Sequence, residues 1–283
     1  GLKNNGKYHS TRYSGVEIGI KHRQNWGKLN MQIGLNYMFT TSEVLKNEEP
    51  VYDSELDKHL SKIGTKHNAM FGQEALGLYG AEDFNPDGTL VEGLAKPSFG
   101  TVKPGDIKYL DYNKDGVVNE NDVHDLGIVS GNNHVVSLSL DLRYQNWQFF
   151  ALLSGAFGGK GWLNTDYYWF KGTSAKYSEF ALQAYNPENP NPDAACPRLS
   201  LGNSSNNYRN SSYWLYDRSY INLDAVQLAY NFDFRESSPL RKLKVYLRAS
   251  NLLKIAKDKD VLELNVGKAP QNRLVSLGIV TSF

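Results

Sequence analysis

The sequence predicts an all-β chain of about seven antiparallel strands, of the kind that crosses an outer membrane as part of a β-barrel. Three observations predict it. Five segments alternate apolar and polar residues with period two, the connections between strands alternate short and long, and no apolar run reaches the ~18 residues that a membrane helix needs.

The strands follow in order. Val16, Ile18 and Ile20 alternate with Glu17, Gly19 and Lys21. From Leu29 the odd positions read Leu29, Met31, Ile33, Leu35, Tyr37 and Phe39, with Asn30, Gln32, Gly34 and Asn36 between them. Val136, Leu138, Leu140 and Leu142 alternate with Ser137, Ser139, Asp141 and Arg143; Leu243, Val245, Leu247 and Ala249 alternate with Lys244, Tyr246, Arg248 and Ser250. The chain closes on Val275, Leu277, Ile279 and Phe283. Two further segments are less regular. Trp147 to Phe157 carries extra apolar residues at Phe150 and Leu152, and in Ile221 to Phe232 the apolar phase slips between Leu223 and Val226, which predicts a β-bulge. Because side chains point to opposite faces in turn, each segment presents one aliphatic and one polar face. Asn30, Gln32, Asn36, Ser137, Asp141, Arg143, Lys244 and Arg248 are expected to face a wet lumen, and their neighbours lipid.

Short turns are expected near residues 23–27, 144–146 and 234–240, and long connections over 42–132, 158–217 and 256–271. This is the rhythm of tight periplasmic turns and long extracellular loops, whereas a soluble sandwich spaces its turns more evenly. Tyr37, Phe39, Tyr144, Trp147, Tyr230, Phe232 and Phe283 fall near strand ends, where a membrane interface favours amphipathic rings.

Composition narrows the function classes. A net charge of +1 offers no basic field for nucleic acid. The single Cys196 excludes an internal disulfide, and no Cys/His cluster has zinc spacing. The mean hydropathy of -0.51 is polar, as expected where strands average lipid-facing with lumen-facing residues. The six His are scattered, no HExxH or GxSxG motif is present, and "GAFGGKGW" lacks Walker spacing, so the reading is not an enzyme and no catalytic residue is assigned.

One motif carries chemistry. In "DYNKDGVVNEND", oxygen ligands recur at EF-hand positions 1, 3, 5, 7, 9 and 12: Asp111, Asn113, Asp115, the Val117 carbonyl, Asn119 and Asp122, with Gly116 at the sharp turn. A hard cation needs such an oxygen set, and structural Ca²⁺ is expected; the alternative is an Asx-rich turn. "KPGDIKYL" upstream is not helical, which excludes a helix-loop-helix sensor, and "NENDVHDLG" is expected to form one helical turn from Asn119, stopping at Gly127. Asp in place of Glu at position 12 points to weak binding, on the order of 10⁻⁴ to 10⁻³ M. The cation would cross-link the first long connection without a hydrophobic core. The rings of "WLNTDYYWF" and "SYWLYD" (Trp162, Tyr167, Tyr168, Trp169 and Trp214) are candidates for stacking on a substrate such as a sugar, against the alternative that they pack a loop.

The segments "PGDIKYLDYNKDGVVNENDVHDLG", "NPENPNPDAACPRLS", "NSSYWLYDRSYINLDAVQLAYNF", "KVYLRASNLL" and "VSLGIVTSF", taken in order, resemble the C-terminal part of SusC/RagA-type TonB-dependent outer-membrane transporters of Bacteroidetes. The resemblance spans essentially the whole chain. It implies the last seven or so strands of a 22-stranded transmembrane β-barrel, working with a SusD-like surface lipoprotein and with TonB to import oligosaccharides or peptides. No plug sequence, TonB box or signal peptide is found in residues 1–283, so the chain reads as a C-terminal barrel segment joined to a plug and further barrel elsewhere. Val275, Leu277, Ile279 and Phe283 resemble the terminal signal read by outer-membrane assembly machinery. Two alternatives stand beside this reading: a small self-contained barrel acting as an anchor or adhesin, and a soluble calcium-stapled carbohydrate-binding β-domain.

Overall fold

The computed structural model describes residues 9–52, 57–171, 176–202, 205–234 and 240–282. Phe283, expected in the terminal signal, lies outside the described residues. Seven long strands, Ser10–Trp26 (β1), Leu29–Lys46 (β2), His134–Tyr144 (β3), Trp147–Phe157 (β4), Tyr220–Asp233 (β5), Lys242–Ala256 (β6) and Leu274–Ser282 (β7), form one sheet in chain order. β1 and β7 are its two outer strands, and the sheet does not close on itself among the described residues. The chain divides into two compact units. One holds residues 13–41, 131–159 and 217–283, and is built on the sheet; the other holds 1–12, 42–130 and 160–216, and is built from the long connections.

The register explains the period-two pattern. Met31 opposes Leu142, which opposes Phe149, then Leu228, Leu247 and Leu277, so one aliphatic row crosses six strands. A second row runs Leu29, Tyr144, Trp147, Tyr230, Val245 and Ile279. The opposite face carries the row Gln32, Asp141, Phe150, Gln227, Arg248 and Ser276. Hydrogen bonds lace this face: Arg143 Nε donates to Asp141 at 3.0 Å, Gln148 donates to the other Asp141 oxygen at 3.1 Å, and Lys244 donates to Gln148 at 3.2 Å. The extra apolar residues Phe150 and Leu152 lie among these polar groups, opposite Asp141 and Ser139.

The expected bulge is present. Leu152 opposes Ala225 while Leu153 opposes Leu223, which leaves Asp224 without a cross-strand partner in β4. On its other side β5 shifts register against β6, where Asn251 takes the left-handed conformation at φ 55°. Two-residue turns close the first two hairpins, with Gly27 at φ 56° and Gln145 at φ 53°, matching the requirement of tight hairpins for a left-handed residue. The third connection, after β6, contains the six-residue helix Lys259–Leu264.

The sheet's aliphatic face is not covered. Ile20 is 59% exposed, Leu247 52% and Leu277 72%. A contiguous apolar face of this extent demands a further apolar partner. A soluble β-domain would bury such a face under a second layer.

The connection unit corrects one expectation: it has its own hydrophobic core. Trp214, Ile107 and Cys196 are fully buried, with Phe170, Tyr109 and Met70 close to it. Small sheets run through the unit: Leu215–Asp217, Gly159–Trp162, His124–Ser130 and Ala69–Gly72 pair in that order, and Ala75–Leu78 pairs with Ile107–Tyr109. Buried polar groups are tied within it. Asp106 accepts from Arg198 Nη2 at 2.9 Å, from Asn207 Nδ2 at 2.8 Å and from the Lys103 amide at 2.8 Å, while the Asn207 amide oxygen accepts from the Ile107 amide at 2.9 Å. Trp214 Nε1 donates to the Asn207 carbonyl at 2.7 Å, so the largest buried ring is also satisfied as a donor. Replacing Trp214 by Ala removes both, and is expected to destabilise this unit by about 3–5 kcal/mol. Urea titration followed by limited proteolysis within residues 42–130 and 160–216 measures it, and an unchanged midpoint would contradict the packing described.

Candidate functional site

The twelve-residue acidic loop lies inside the connection unit and is shaped by its own side chains. Lys114 and Gly116 take the left-handed conformation at φ 60° and 87°. Asp111 Oδ2 accepts from the Gly116 amide at 2.8 Å, Asn113 Oδ1 from the Asp115 amide at 3.0 Å, and Asp115 Oδ1 from the Val117 amide at 2.8 Å. The last two are successive Asx turns, and the bond from Gly116 to Asp111 closes the loop over five residues. Asp122 is fully buried; its two oxygens accept from the amides of Tyr112 at 2.8 Å and Asn119 at 2.7 Å. Asn119 caps a 3₁₀ turn over Glu120–Asp122, its side chain accepting from the Asn121 amide at 2.7 Å. The helical turn expected here is therefore this 3₁₀ turn. It stops at Asp122 rather than Gly127, because His124–Ser130 pairs as a strand with Ala69–Gly72.

For a cation the donor set is apt in kind: three carboxylates, two side-chain amides and the Val117 carbonyl within twelve residues. The carboxylates are turned onto backbone amides, and among the described residues no three acidic, His or Cys side chains gather on one point. Asp111 and Asp122 are each committed to backbone amides on both oxygens, which leaves Asn113, Asp115 and the Val117 carbonyl as the more available donors.

Residues outside the motif fasten the loop, and the spacing of ligands gave no sign of them. The Tyr112 ring lies between His59 and His124, with centroids 4.7 and 3.9 Å away. His59 Nε2 is 2.6 Å from the Asn121 carbonyl, and Gln73 Nε2 donates to the Asn119 carbonyl at 2.6 Å. Lys96–Pro97 pairs in parallel with Val117–Val118. The signal for these partners is three-dimensional: they come from as far as 62 residues away in the chain.

The ring candidates divide. Trp214 is fully buried and Tyr168 is 6% exposed, so both are packing residues of the unit and are corrected as substrate contacts. Trp162, Tyr167 and Trp169 are half-buried. Trp169 lies edge-on to Trp214 at 6.0 Å, and Lys171 Nζ sits 4.5 Å above its ring. Val275, Leu277 and Ile279 all lie on β7 and share its aliphatic face with Val245, Leu247 and Ala249.

Several buried acids in this unit are held protonated. Burial pushes the Cys196 thiol up to about 12 from an ordinary 9.0. Burial, then the charges of Asp83 and Asp106, pushes Tyr79 up to about 12, and burial with Tyr167 does the same to Tyr168. Tyr109, Tyr208 and Tyr213 shift upward for the same first reason. Raised values mean that the folded state binds these protons more tightly than the unfolded chain, so their contribution is complete below about pH 9 and is lost as pH rises toward 12. Urea midpoints of the connection unit are expected to fall across that window. Cys196 alkylation should appear only with unfolding; rapid alkylation of the folded protein near pH 9 would contradict the burial.

Comparison with known proteins adds the fold. No protein-family model matches the sequence, and no curated protein matches it. Solved structures do. A chain of the RagAB peptide importer in its 'open-open' state matches with a TM-score of 0.68 at 17% identity, over 97% of this chain and 29% of that one. A chain of the RagAB peptide transporter matches at 0.63 and 16% identity, and the importer's 'closed-closed' state at 0.60 and 17%. In both of these the match covers 89% of this chain and 26% of the other. The chain thus has the fold of a part, under a third, of those much longer chains.

Proposed function

We propose that the chain is the C-terminal barrel portion of a SusC/RagA-type, TonB-dependent outer-membrane importer, acting on oligosaccharides or peptides with a SusD-like surface lipoprotein. The observation that carries this is the sheet itself: seven strands with one uncovered aliphatic face, one polar face and alternating short and long connections. That is what a barrel wall between lipid and an aqueous lumen requires. Peptides are the favoured cargo, because the solved likenesses belong to a peptide importer.

The open edges bear on partners. In hydrocarbon an unpaired strand edge leaves its N–H and C=O groups without water, so β1 and β7 both need further strands. In this reading the rest of the barrel supplies them, the plug fills the lumen, and TonB acts through the plug. Val275, Leu277 and Ile279, with Phe283, form the assembly signal. Lipid lies against Ile18, Leu35, Leu247 and Leu277, while Arg143 and Arg248 face the lumen; an Arg turned to lipid at the midplane would cost about 2–4 kcal/mol. Cysteines placed at Leu247 and Leu277 are expected to react with a lipid-soluble maleimide, and those at Arg143 and Arg248 with a water-soluble one. The reverse pattern would sink the reading. Co-purification in mild detergent with a lipoprotein encoded beside the transporter tests the partner; the transporter eluting alone counts against it.

In the same reading the acidic loop holds Ca²⁺ through Asp111, Asn113, Asp115, the Val117 carbonyl, Asn119 and Asp122, as a structural clip on an extracellular connection. Bound cation would neutralise carboxylates that now share backbone donors. Terbium luminescence sensitised by Tyr112 is expected to titrate with a Kd on the order of 10⁻⁴ to 10⁻³ M for competing Ca²⁺. Asp115→Ala should abolish it. Terbium emission that persists in the variant would remove the site from this loop.

A further inference from the structure

Beside the acidic loop, the connection unit contains a cleft of 660 Å³ that the reading above does not use. It falls within the size range of small-molecule sites. Its floor is rigid: the Gln73 amide donates to the Asn210 carbonyl at 3.0 Å, and the Ser212 amide donates to the Gln73 carbonyl at 2.9 Å. Gly72 is required there, because a Cβ would stand 2.8 Å from the Asn210 carbonyl oxygen and 3.2 Å from the Trp162 ring. Phe71, Val123 and Tyr208 supply apolar walls.

Two cations line the same cleft, Lys171 and Arg209, against one carboxylate, Glu120. The Arg209 guanidinium is pre-set. It stacks on the Phe99 ring, donates to the Ser205 carbonyl through Nε and Nη2 at 3.3 and 3.2 Å, and pairs with Glu120 at 2.9 Å. Its side chain is only 15% exposed, whereas that of Glu120 is 76% exposed. A pair with one partner so solvated is weak and readily exchanged. Lys171 rests over the Trp169 ring, and no described carboxylate pairs with it. The cleft therefore carries one unmatched positive charge, and a carboxylate of the chain already occupies the position that a ligand anion would take.

We propose that this cleft binds a small ligand bearing a carboxylate on an apolar body. The carboxylate is received by Lys171 and Arg209 in exchange for Glu120, and the body lies against Phe71, Val123 and Tyr208. Neutral sugars lack the anion that the two cations select, and a doubly charged phosphate lacks any use for the apolar wall.

The test uses the full-length protein in detergent, with tryptophan fluorescence reporting through Trp169 and saturation-transfer NMR as the second readout. The probes are N-acetyl-phenylalanine and its neutral amide. The acid is expected to bind about ten-fold more tightly than the amide, a preference typical of charge-assisted contacts. Lys171→Met should abolish that preference, and Glu120→Gln should tighten the acid several-fold by removing the internal competitor. Acid and amide binding equally, neither probe binding, or Glu120→Gln weakening the acid would overturn the proposal. Lys171 is exposed, so its variant tests the charge without touching the core.

Discussion

Everything in the sheet depends on strands pairing in one register. A strand whose side chains alternate strictly cannot slip by a single residue without turning its aliphatic set to the polar side and its Arg and Lys to the apolar one. Here the constraint is shared by five interfaces, since the row from Met31 to Leu277 is continuous only if each pairing is correct. The tight turn at Gln145 fixes one of these registers locally, and the turn at Gly27 fixes that of β1 on β2. The bulge at Asp224 absorbs the one place where the sequence changes phase, so that Leu223 and Val226 stay on the same side.

The sheet was legible in the sequence because its code is local. Leu29 to Phe39 and Val136 to Arg143 state their faces by alternation alone, and even the bulge announces itself as a phase slip. The connections were less legible. Their length was visible, but the burial of Trp214 and Cys196 rests on contacts between segments about a hundred residues apart, such as Ile107 with Asn207, and no periodicity encodes those. A loop expected to need a cation in place of a core has a core of its own, and Trp214, expected to meet a ligand, is its centre. The acidic loop's turns were readable from Asp, Asn and Gly spacing; its grip by His59, Gln73 and His124 was not.

The two units solve the problem of stability differently. The sheet satisfies its backbone by pairing and leaves its faces uncovered. The connection unit has short strands and satisfies much of its backbone through side chains, with Asn, Asp and Ser residues bonding to amides and carbonyls along both long connections. That polar economy suits a segment with few long strands, since each buried backbone group left unpaired would cost about 1–3 kcal/mol. It also explains the high Asn and Asp content there without assigning each such residue to a ligand.

The clasp around Asp106 has a mechanical meaning. Asp106 and Ile107 belong to the first long connection, Arg198 and Asn207 to the second, and the hairpin of β3 and β4 separates the two in sequence. The connection unit is therefore a seam sewn from two threads, and neither thread makes its core alone. During synthesis the seam waits until the hairpin between them is complete, which makes it a late and strongly non-local event. Once sewn, a single backbone cut on an exposed stretch of either thread leaves both pieces gripped by the other, so the surface of the protein tolerates a nick that would release an ordinary hairpin loop.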